Sequence, residues 1–385
     1  MNNIISAAQR EDLVVPQGEF TLRRNPDDAN LRAWDAADEL LLNHLHEAGL
    51  PRGQERLLLL NDAFGALAVA LAASKPWSWN DSWLAQQALR DNLRANGYPE
   101  DQVATNTGIE FPPAAVDCVL IKIPKTLALL EYQLYALRDL LHHDTRLVGA
   151  GMTRHIHRST LELFETIIGP TSSSRAVKKS RLLLVERDQS LNQGQSQYPT
   201  EYELQVDRPY RLINHASLFS RERLDGGTRF MLENMAIGEA YRRIVDLGCG
   251  NGVLGLIAAA MNPSASLLFC DESHMAVASA RSNFEAAFGR SREAEFRVGD
   301  CLQGVDDASR DLVLVNPPFH QQHSIGDAIA WNMFKHARRV LVAGGELRIV
   351  GNRHLGYHAK LKKLFANCRT VAANRKFVIL AAIKR

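Results

Sequence analysis

The sequence has no Cys-x-x-Cys pair, no long apolar run and almost no excess of either charge. Its five cysteines, Cys118, Cys249, Cys270, Cys301 and Cys368, are odd in number and scattered, which argues against a disulfide framework and a cysteine-built zinc site. They read as reduced thiols of a cytosolic protein. No stretch approaches the roughly eighteen apolar residues of a membrane span, and "MNNIISAAQREDLVVP" lacks a basic region followed by an apolar one. A soluble, cytoplasmic protein without a membrane partner is expected. With 45 Lys+Arg against 43 Asp+Glu, an acidic partner such as a nucleic acid must be met by a local patch.

What is present is alternation. The 385 residues are too many for one ordinary domain and enough for two. Short apolar runs ("RLLLLN", "AVDCVLIKI", "RRIVDLG", "SLLFCD", "RDLVLVN") alternate with longer amphipathic ones ("AFGALAVALAASK", "TLALLEYQLYALRDLL", "MAVASARSNFEAAF"), the pattern of parallel α/β sheets. "RDQSLNQGQSQYPTEY" is rich in Gln, Ser and Asn, has no apolar period, and reads as a linker. The halves on either side also align with each other. Gly65 falls on Gly252, Leu59 on Asp246, Asn61 on Gly248 and Ala63 on Gly250; Asp81 falls on Asp271 and, after one gap, Asn92 on Asn283; Lys122 falls on Asn316. The first copy keeps the framework and loses the glycines.

"VDLGCGNGVLG" follows an apolar run and precedes a helical one, so Gly248, Gly250 and Gly252 sit where the chain turns sharply and a ligand can touch the backbone. Taken alone, Gly-x-Gly-x-x-Gly fits a dinucleotide. Asp246, two residues ahead, shifts the reading: a carboxylate there suits the positive sulfonium and amino groups of S-adenosylmethionine better than a pyrophosphate. Asp271, closing "LLFCD", could accept hydrogen bonds from ribose hydroxyls while also capping the next helix. Asp300, in "FRVGDC" with its neighbour Cys301, could meet the adenine amino group, or only form a turn. Three carboxylates at successive strand ends line the sheet edge where such folds bind ligands. A fourth strand end, Asn316-Pro317-Pro318-Phe319, breaks its own ladder and leaves one amide at the tip.

Asp-x-Gly-x-Gly-x-Gly, an acidic strand end and Asn-Pro-Pro-Phe resemble the motif order of class I S-adenosylmethionine-dependent methyltransferases acting on exocyclic or amide nitrogens. Across nearly the whole chain the sequence is similar to the ribosomal RNA guanine-N2 methyltransferases, the large-subunit enzymes above all, through "NHASLFSRERLDGGTRF", "CDESHMAVASARSN", "NPPFHQQHS" and "ANRKFVILAAIKR" in the second half and "LNDAFGALAVAL" and "STLELFETIIGPT" in the first. The resemblance implies two tandem Rossmann-like domains. Residues 1–188 would form a degenerate, RNA-holding domain, 189–202 the linker, and 203–385 the catalytic domain.

It further implies S-adenosylmethionine as cofactor, no metal, a monomer, and protein-free 23S ribosomal RNA as partner. Asn316 and Pro317 would hold the target amine and Phe319 would stack on the base, while Phe219 and Asp225, in "FSRERLDGG", would lie over the cofactor. Methylation of small-subunit guanine, of a protein glutamine, or a non-catalytic RNA-binding role are the competing readings. His320 and His323 have no third ligand to make a metal site, and His142-His143 and His155-x-His157 have no evident chemical partner. Every charged residue from Arg353 to Arg385 is Lys or Arg, and "SRAVKKSR" is a second basic cluster; both suit phosphate contact.

Overall fold

The computed structural model describes residues 11–26, 31–53, 55–110, 115–318 and 323–385. The chain forms two compact units, Met1–Tyr198 and Pro199–Arg385. Among the described residues no helix is long and apolar enough to cross a membrane.

In the second unit an antiparallel hairpin, Thr200–Gln205 with Pro209–Asn214, precedes a seven-stranded sheet. Its strand order is Ala294–Val298, Ser266–Asp271, Arg243–Leu247, Arg310–Val315, Leu341–Asn352, Phe377–Ile383, Arg369–Ala373. The first five strands run parallel, and Phe377–Ile383 runs antiparallel to both of its neighbours. Apolar runs without alternation make such strands because both faces are covered. Leu312, Val313, Leu314 and Val315 are all fully buried, with Leu312 and Leu314 in one core layer and Val313 and Val315 in the other. Burying each such side chain is worth about 1.5–3 kcal/mol. Helices Gly226–Glu233, Val253–Met261, His274–Phe288, His323–Val340 and Tyr357–Phe365 complete the unit.

The first unit repeats this plan. Its hairpin is Glu11–Val15 with Gly18–Leu22, and its strand order is Ala104–Asn106, Trp77–Trp79, Leu57–Leu60, Val116–Lys122, Leu141–Met152, Ser180–Val185, Thr171–Ser173. Position for position in the sheet, the two units have one topology: the tandem α/β architecture expected from the sequence.

Local hydrogen bonds repeat as well. Asn92 accepts from the Arg23 N–H (2.8 Å) and donates to the carbonyls of Arg23 (2.9 Å) and Phe64 (2.8 Å). Asn283 does the same with Ile213 (2.7 and 3.0 Å) and the Asn251 carbonyl (2.9 Å). The stretch read as a linker is not uniform. Arg138 donates to the carbonyls of Gln193 (2.6 Å) and Gly194 (2.7 Å) within the first unit, while Thr200 already opens the hairpin of the second.

Candidate active site

The glycine loop joins strand Arg243–Leu247 to helix Val253–Met261. Gly248, Gly250 and Gly252 have φ of +70°, +55° and +79°, the left-handed region that glycine enters without strain. A Cβ on Gly252 would come within 2.8 Å of the Ala280 Cβ and 3.0 Å of its Cα, so that turn is packed shut. A Cβ on Gly250 would meet nothing within 4 Å, and there the backbone faces open space. The N–H groups of Gly248 (2.8 Å) and Cys249 (3.0 Å) donate to the Cys270 carbonyl, tying the loop to the neighbouring strand.

Two carboxylates fix this loop. Asp246 is 1 % exposed, and its Oδ2 accepts the Gly255 N–H at 2.8 Å. Burial, reinforced by the charge of Asp271, pushes its pKa up to about 8 against the lowering effect of that hydrogen bond. Asp246 thus lies beneath the loop and holds the helix start. Asp271 is half-buried at its strand end; Oδ2 accepts the Gly250 N–H (3.0 Å) and Oδ1 the Ser273 N–H (3.1 Å).

Asp300 is half-buried beyond strand Ala294–Val298. Cys301 follows at φ +49°, its Sγ accepting from Asn332 Nδ2 at 3.6 Å. Burial, then the adjacent Asp300, raise its thiol well above the usual range, so it is a neutral group. Phe219 is 66 % exposed.

The Asn-Pro-Pro tip is held from the other side. Asp225 is the N-cap of helix Gly226–Glu233, accepting the N–H groups of Gly227 (2.9 Å) and Thr228 (3.0 Å). Asn316 donates its Nδ2 to Asp225 Oδ2 (3.2 Å) and to Thr228 Oγ1 (2.8 Å). Both partners are acceptors on this side, so the amide orientation is set: nitrogen toward the helix, oxygen away. That oxygen is shut from solvent and has no hydrogen-bond partner among the described residues. A buried carbonyl left so is a place for a donor to arrive. Asp225 thus joins the helix start to Asn316. Pro317 is buried; Phe319 and His320 lie outside the described residues, as does the side chain of His323.

Sequence reasoning missed Thr228, although Asp225-Gly-Gly-Thr228 has the spacing of a helix cap. It also missed Asn251, whose Nδ2 donates to Tyr202 Oη (3.1 Å) and Asn214 Oδ1 (2.9 Å) and so braces the glycine loop on the hairpin.

The first unit shows what replaces this chemistry. Gly65 keeps the packed turn (φ +79°, with a Cβ 2.9 Å from the Leu89 Cα), as Gly252 does. Asn61 keeps the left-handed backbone of Gly248 (φ +61°) but brings a side chain, which exchanges two hydrogen bonds with Gln133 (2.9 and 2.8 Å). Gln133 stands where the second unit has Met333, the residue a Cβ on Gly248 would strike at 2.9 Å. Leu59 leaves no carboxylate at the Asp246 position, and the buried Asp62 caps the helix instead through Ala66 (3.0 Å) and Ala68 (2.9 Å).

Lys122 replaces Asn316, and its Nζ lies 2.7 Å from both Asp35, the N-cap of helix Ala36–Glu47, and Asp38. These carboxylates raise the Lys122 pKa although burial pulls it down. One alignment shifts: Asn80, not Asp81, holds the Asp271 position, since its Oδ1 accepts the N–H of the cap Ser82 (3.0 Å) as Asp271 accepts that of Ser273.

Elsewhere, His142, His143 and Asp144 could together offer ligand atoms to a metal. His142 already pairs with Asp117 (3.0 Å) and the exposed His143 with Asp144 (2.8 Å). An open cleft of about 510 Å³ between Arg281, Arg290, Arg292 and Glu295 includes the strand starts Ser266 and Ala294, at the opposite strand ends from the glycine loop.

Strand order, glycine loop and Asn-Pro-Pro tip define a methyltransferase domain that follows, in the chain, a copy of itself that has lost its site. The family profile of the methyltransferase small domain matches residues 209–381, and that of the RLMG N-terminal domain residues 10–189. The chain belongs to the ribosomal RNA large subunit methyltransferase G family. It is 49% identical to the protein of that name from Streptomyces coelicolor, over 97% of this chain and 100% of the relative. It is 52% identical to that from Pseudomonas aeruginosa, over 96% and 99%. Its fold matches that of the T. thermophilus 16S rRNA N2 methyltransferase RsmC, solved in complex with AdoMet and guanosine, with a TM-score of 0.76 at 22% identity over 98% of both chains.

Proposed function

We propose that this protein transfers a methyl group from S-adenosylmethionine to the exocyclic N2 of a guanine in 23S ribosomal RNA. Family membership supports the reaction class, and one observation carries the site assignment: the buried, unpartnered Oδ1 of Asn316, fixed in orientation by Asp225 and Thr228.

The residues at the sheet edge fit the cofactor. Gly250 offers bare backbone to open space, and Asp271, at its strand end beside the Gly250 N–H, is the carboxylate that would accept from ribose hydroxyls. Asp300 stands where adenine would be met, with the neutral Cys301 beside it. Phe219, 66 % exposed and ahead of Asp225 in the chain, would lie over the cofactor. When bound, S-adenosylmethionine supplies an electrophilic methyl group whose C–S bond breaks, its electron pair going to sulfur, as the new N–C bond forms.

The chain's part is to prepare the nitrogen. A guanine N2 lone pair is delocalised into the ring and attacks poorly. Asn316 Oδ1 and the Pro317 carbonyl would each accept one N–H, aiming the lone pair and favouring a pyramidal nitrogen. No general base is required, because the amine becomes acidic as it is alkylated and releases its proton to water. Phe319 would stack on the purine, worth roughly 1–3 kcal/mol. The base must come from a single strand or be turned out of its stack, since N2 otherwise lies in the minor groove.

Residues 1–188 serve to hold RNA and 203–385 to catalyse. Arg175, Lys178 and Lys179 in the first unit are exposed, as are Lys362, Lys363, Arg375 and Lys376 in the second. Lys384 differs from the rest of the basic terminus: its Nζ donates to the carbonyls of Arg339 (3.1 Å) and Leu341 (2.6 Å) and is a structural group. The protein would work as a cytoplasmic monomer on protein-free RNA.

Mass mapping of guanine methylation in ribosomal RNA, from cells lacking the protein and from the same cells given wild type or Asn316→Ala, tests the reading. One 23S N2-methylguanine should disappear and return only with wild type. Its persistence in the deleted cells would refute the proposal, and loss of a 16S mark instead would move the substrate to the small subunit.

A further inference from the structure

A second amide oxygen near the same strand ends is also buried without a partner among the described residues: Oδ1 of Asn352. Asn352 closes strand Leu341–Asn352, which lies beside Arg310–Val315, the strand that delivers Asn316. Val315 pairs with Ile349, so Asn316 is level with Val350 and Asn352 lies two residues further on, about 7 Å along the strand. Leu314 and Val350 share one core layer, together with Met231 of helix Gly226–Glu233. By strand alternation Asn316 and Asn352 fall on that same face.

The other neighbour of Asn352 gives the same location. Asn352 pairs with Phe377, and a Cβ built on Gly226, the residue after the N-cap Asp225, would come within 3.3 Å of the Phe377 ring. Asn352 therefore stands beside the helix start that orients Asn316. The first unit provides an internal control. Leu147 pairs with Val119 as Leu347 pairs with Val313, which puts Met152 at the Asn352 position. The copy that lost the clamp asparagine carries an apolar side chain here too.

We propose that Asn352 is a specificity-determining residue: its Oδ1 accepts the N1–H of the guanine whose N2–H is taken by Asn316. The inference rests on the guanine reading given above. Guanine presents two adjacent donors, N2–H and N1–H, so two neighbouring acceptors match it. A purine with an unprotonated N1 would aim a lone pair at the Asn352 oxygen and lose that bond.

The test uses full-length 23S RNA assembled by splinted ligation, with guanine or 2,6-diaminopurine at the mapped methylated position. Diaminopurine keeps the 2-amino group but has no N1–H. Wild type should favour guanine in kcat/KM by about tenfold or more, since diaminopurine leaves the buried Asn352 oxygen unsatisfied and facing a lone pair. Asn352→Met, which installs the residue of the first unit, should collapse that preference while S-adenosylhomocysteine affinity and melting temperature stay unchanged. Asn352→Asp, which keeps an acceptor, should retain it.

No preference in wild type, equal losses on both RNAs for Asn352→Met, or loss of preference in Asn352→Asp would each overturn the assignment. If Asn352→Met does not fold, the wild-type and Asn352→Asp results still decide. Failure of wild type to methylate the guanine RNA would instead sink the function itself.

Discussion

Replacing Thr228 by Val tests the idea that the Asn316 amide is aimed from behind. Threonine and valine have nearly the same shape, so the substitution removes the hydroxyl alone: the acceptor for Asn316 and a long, 3.4 Å donation to Asp225 Oδ2. Asn316 Nδ2 then loses its 2.8 Å partner and keeps Asp225 Oδ2 at 3.2 Å. A neutral hydrogen bond is worth about 0.5–1.5 kcal/mol net, so kcat should fall roughly 2- to 12-fold. Asp225→Ala removes the stronger, charged acceptor, and kcat should fall by about 1.5–3 kcal/mol, roughly 10- to 150-fold. It also removes a helix cap, which costs about 1 kcal/mol of stability and lowers the melting temperature. Single-turnover methylation of 23S RNA reads the rates and calorimetry the S-adenosylhomocysteine affinity, which should not move. In an Asn316→Ala background, Thr228→Val should have no further effect, because both act through one amide. Additive losses, or a matching loss of cofactor affinity, would refute the orientation argument.

Three further outcomes follow. Asp246 has a raised folded-state pKa, about 8 against roughly 4 unfolded, so it favours the folded state most below pH 4 and that contribution is lost as pH rises toward 8. Asp246→Asn should flatten this decline in thermal unfolding of the cofactor-free protein; an unchanged slope would contradict the buried placement. Gly250→Ala should weaken S-adenosylhomocysteine binding at least tenfold while the protein still folds, whereas Gly252→Ala, with its Cβ 2.8 Å from that of Ala280, should cost fold stability measurable by denaturant unfolding. Arg175→Ala with Lys179→Ala should weaken binding to 23S RNA and make the salt dependence shallower by about 1 to 2 in log–log slope; an identical slope would exclude both side chains from phosphate contact.

Much of this was readable in the sequence because the pattern is dense. Short apolar runs rich in Val, Leu and Ile and bounded by turn residues fit strands buried on both faces, and a left-handed loop after one of them needs its glycines. The proline pair stops the fourth strand by its own chemistry. What could not be read were the distances across the fold: Asp225 and Thr228 are 91 and 88 residues from Asn316, and no local signal links them. Asp246 was ambiguous for another reason, since a carboxylate before a glycine loop looks the same whether it faces a ligand or caps the helix beneath. The one-residue error at Asp81 arose at a strand-to-helix turn whose register is set by the cap Ser82, a residue that sequence matching passes over.

The ion cluster of the first unit carries a consequence for anyone hoping to reawaken it. Lys122→Asn would restore the clamp residue and leave Asp35 and Asp38 facing each other with their shared cation gone. The ancestral-looking amide would find two carboxylates where the working copy has one and a hydroxyl. Asp38→Thr must accompany it, and Asn61 must return to glycine before Gln133 lets go of the space above the loop. The dormant copy is thus held shut by several mutually supporting substitutions, and no single reversion opens it.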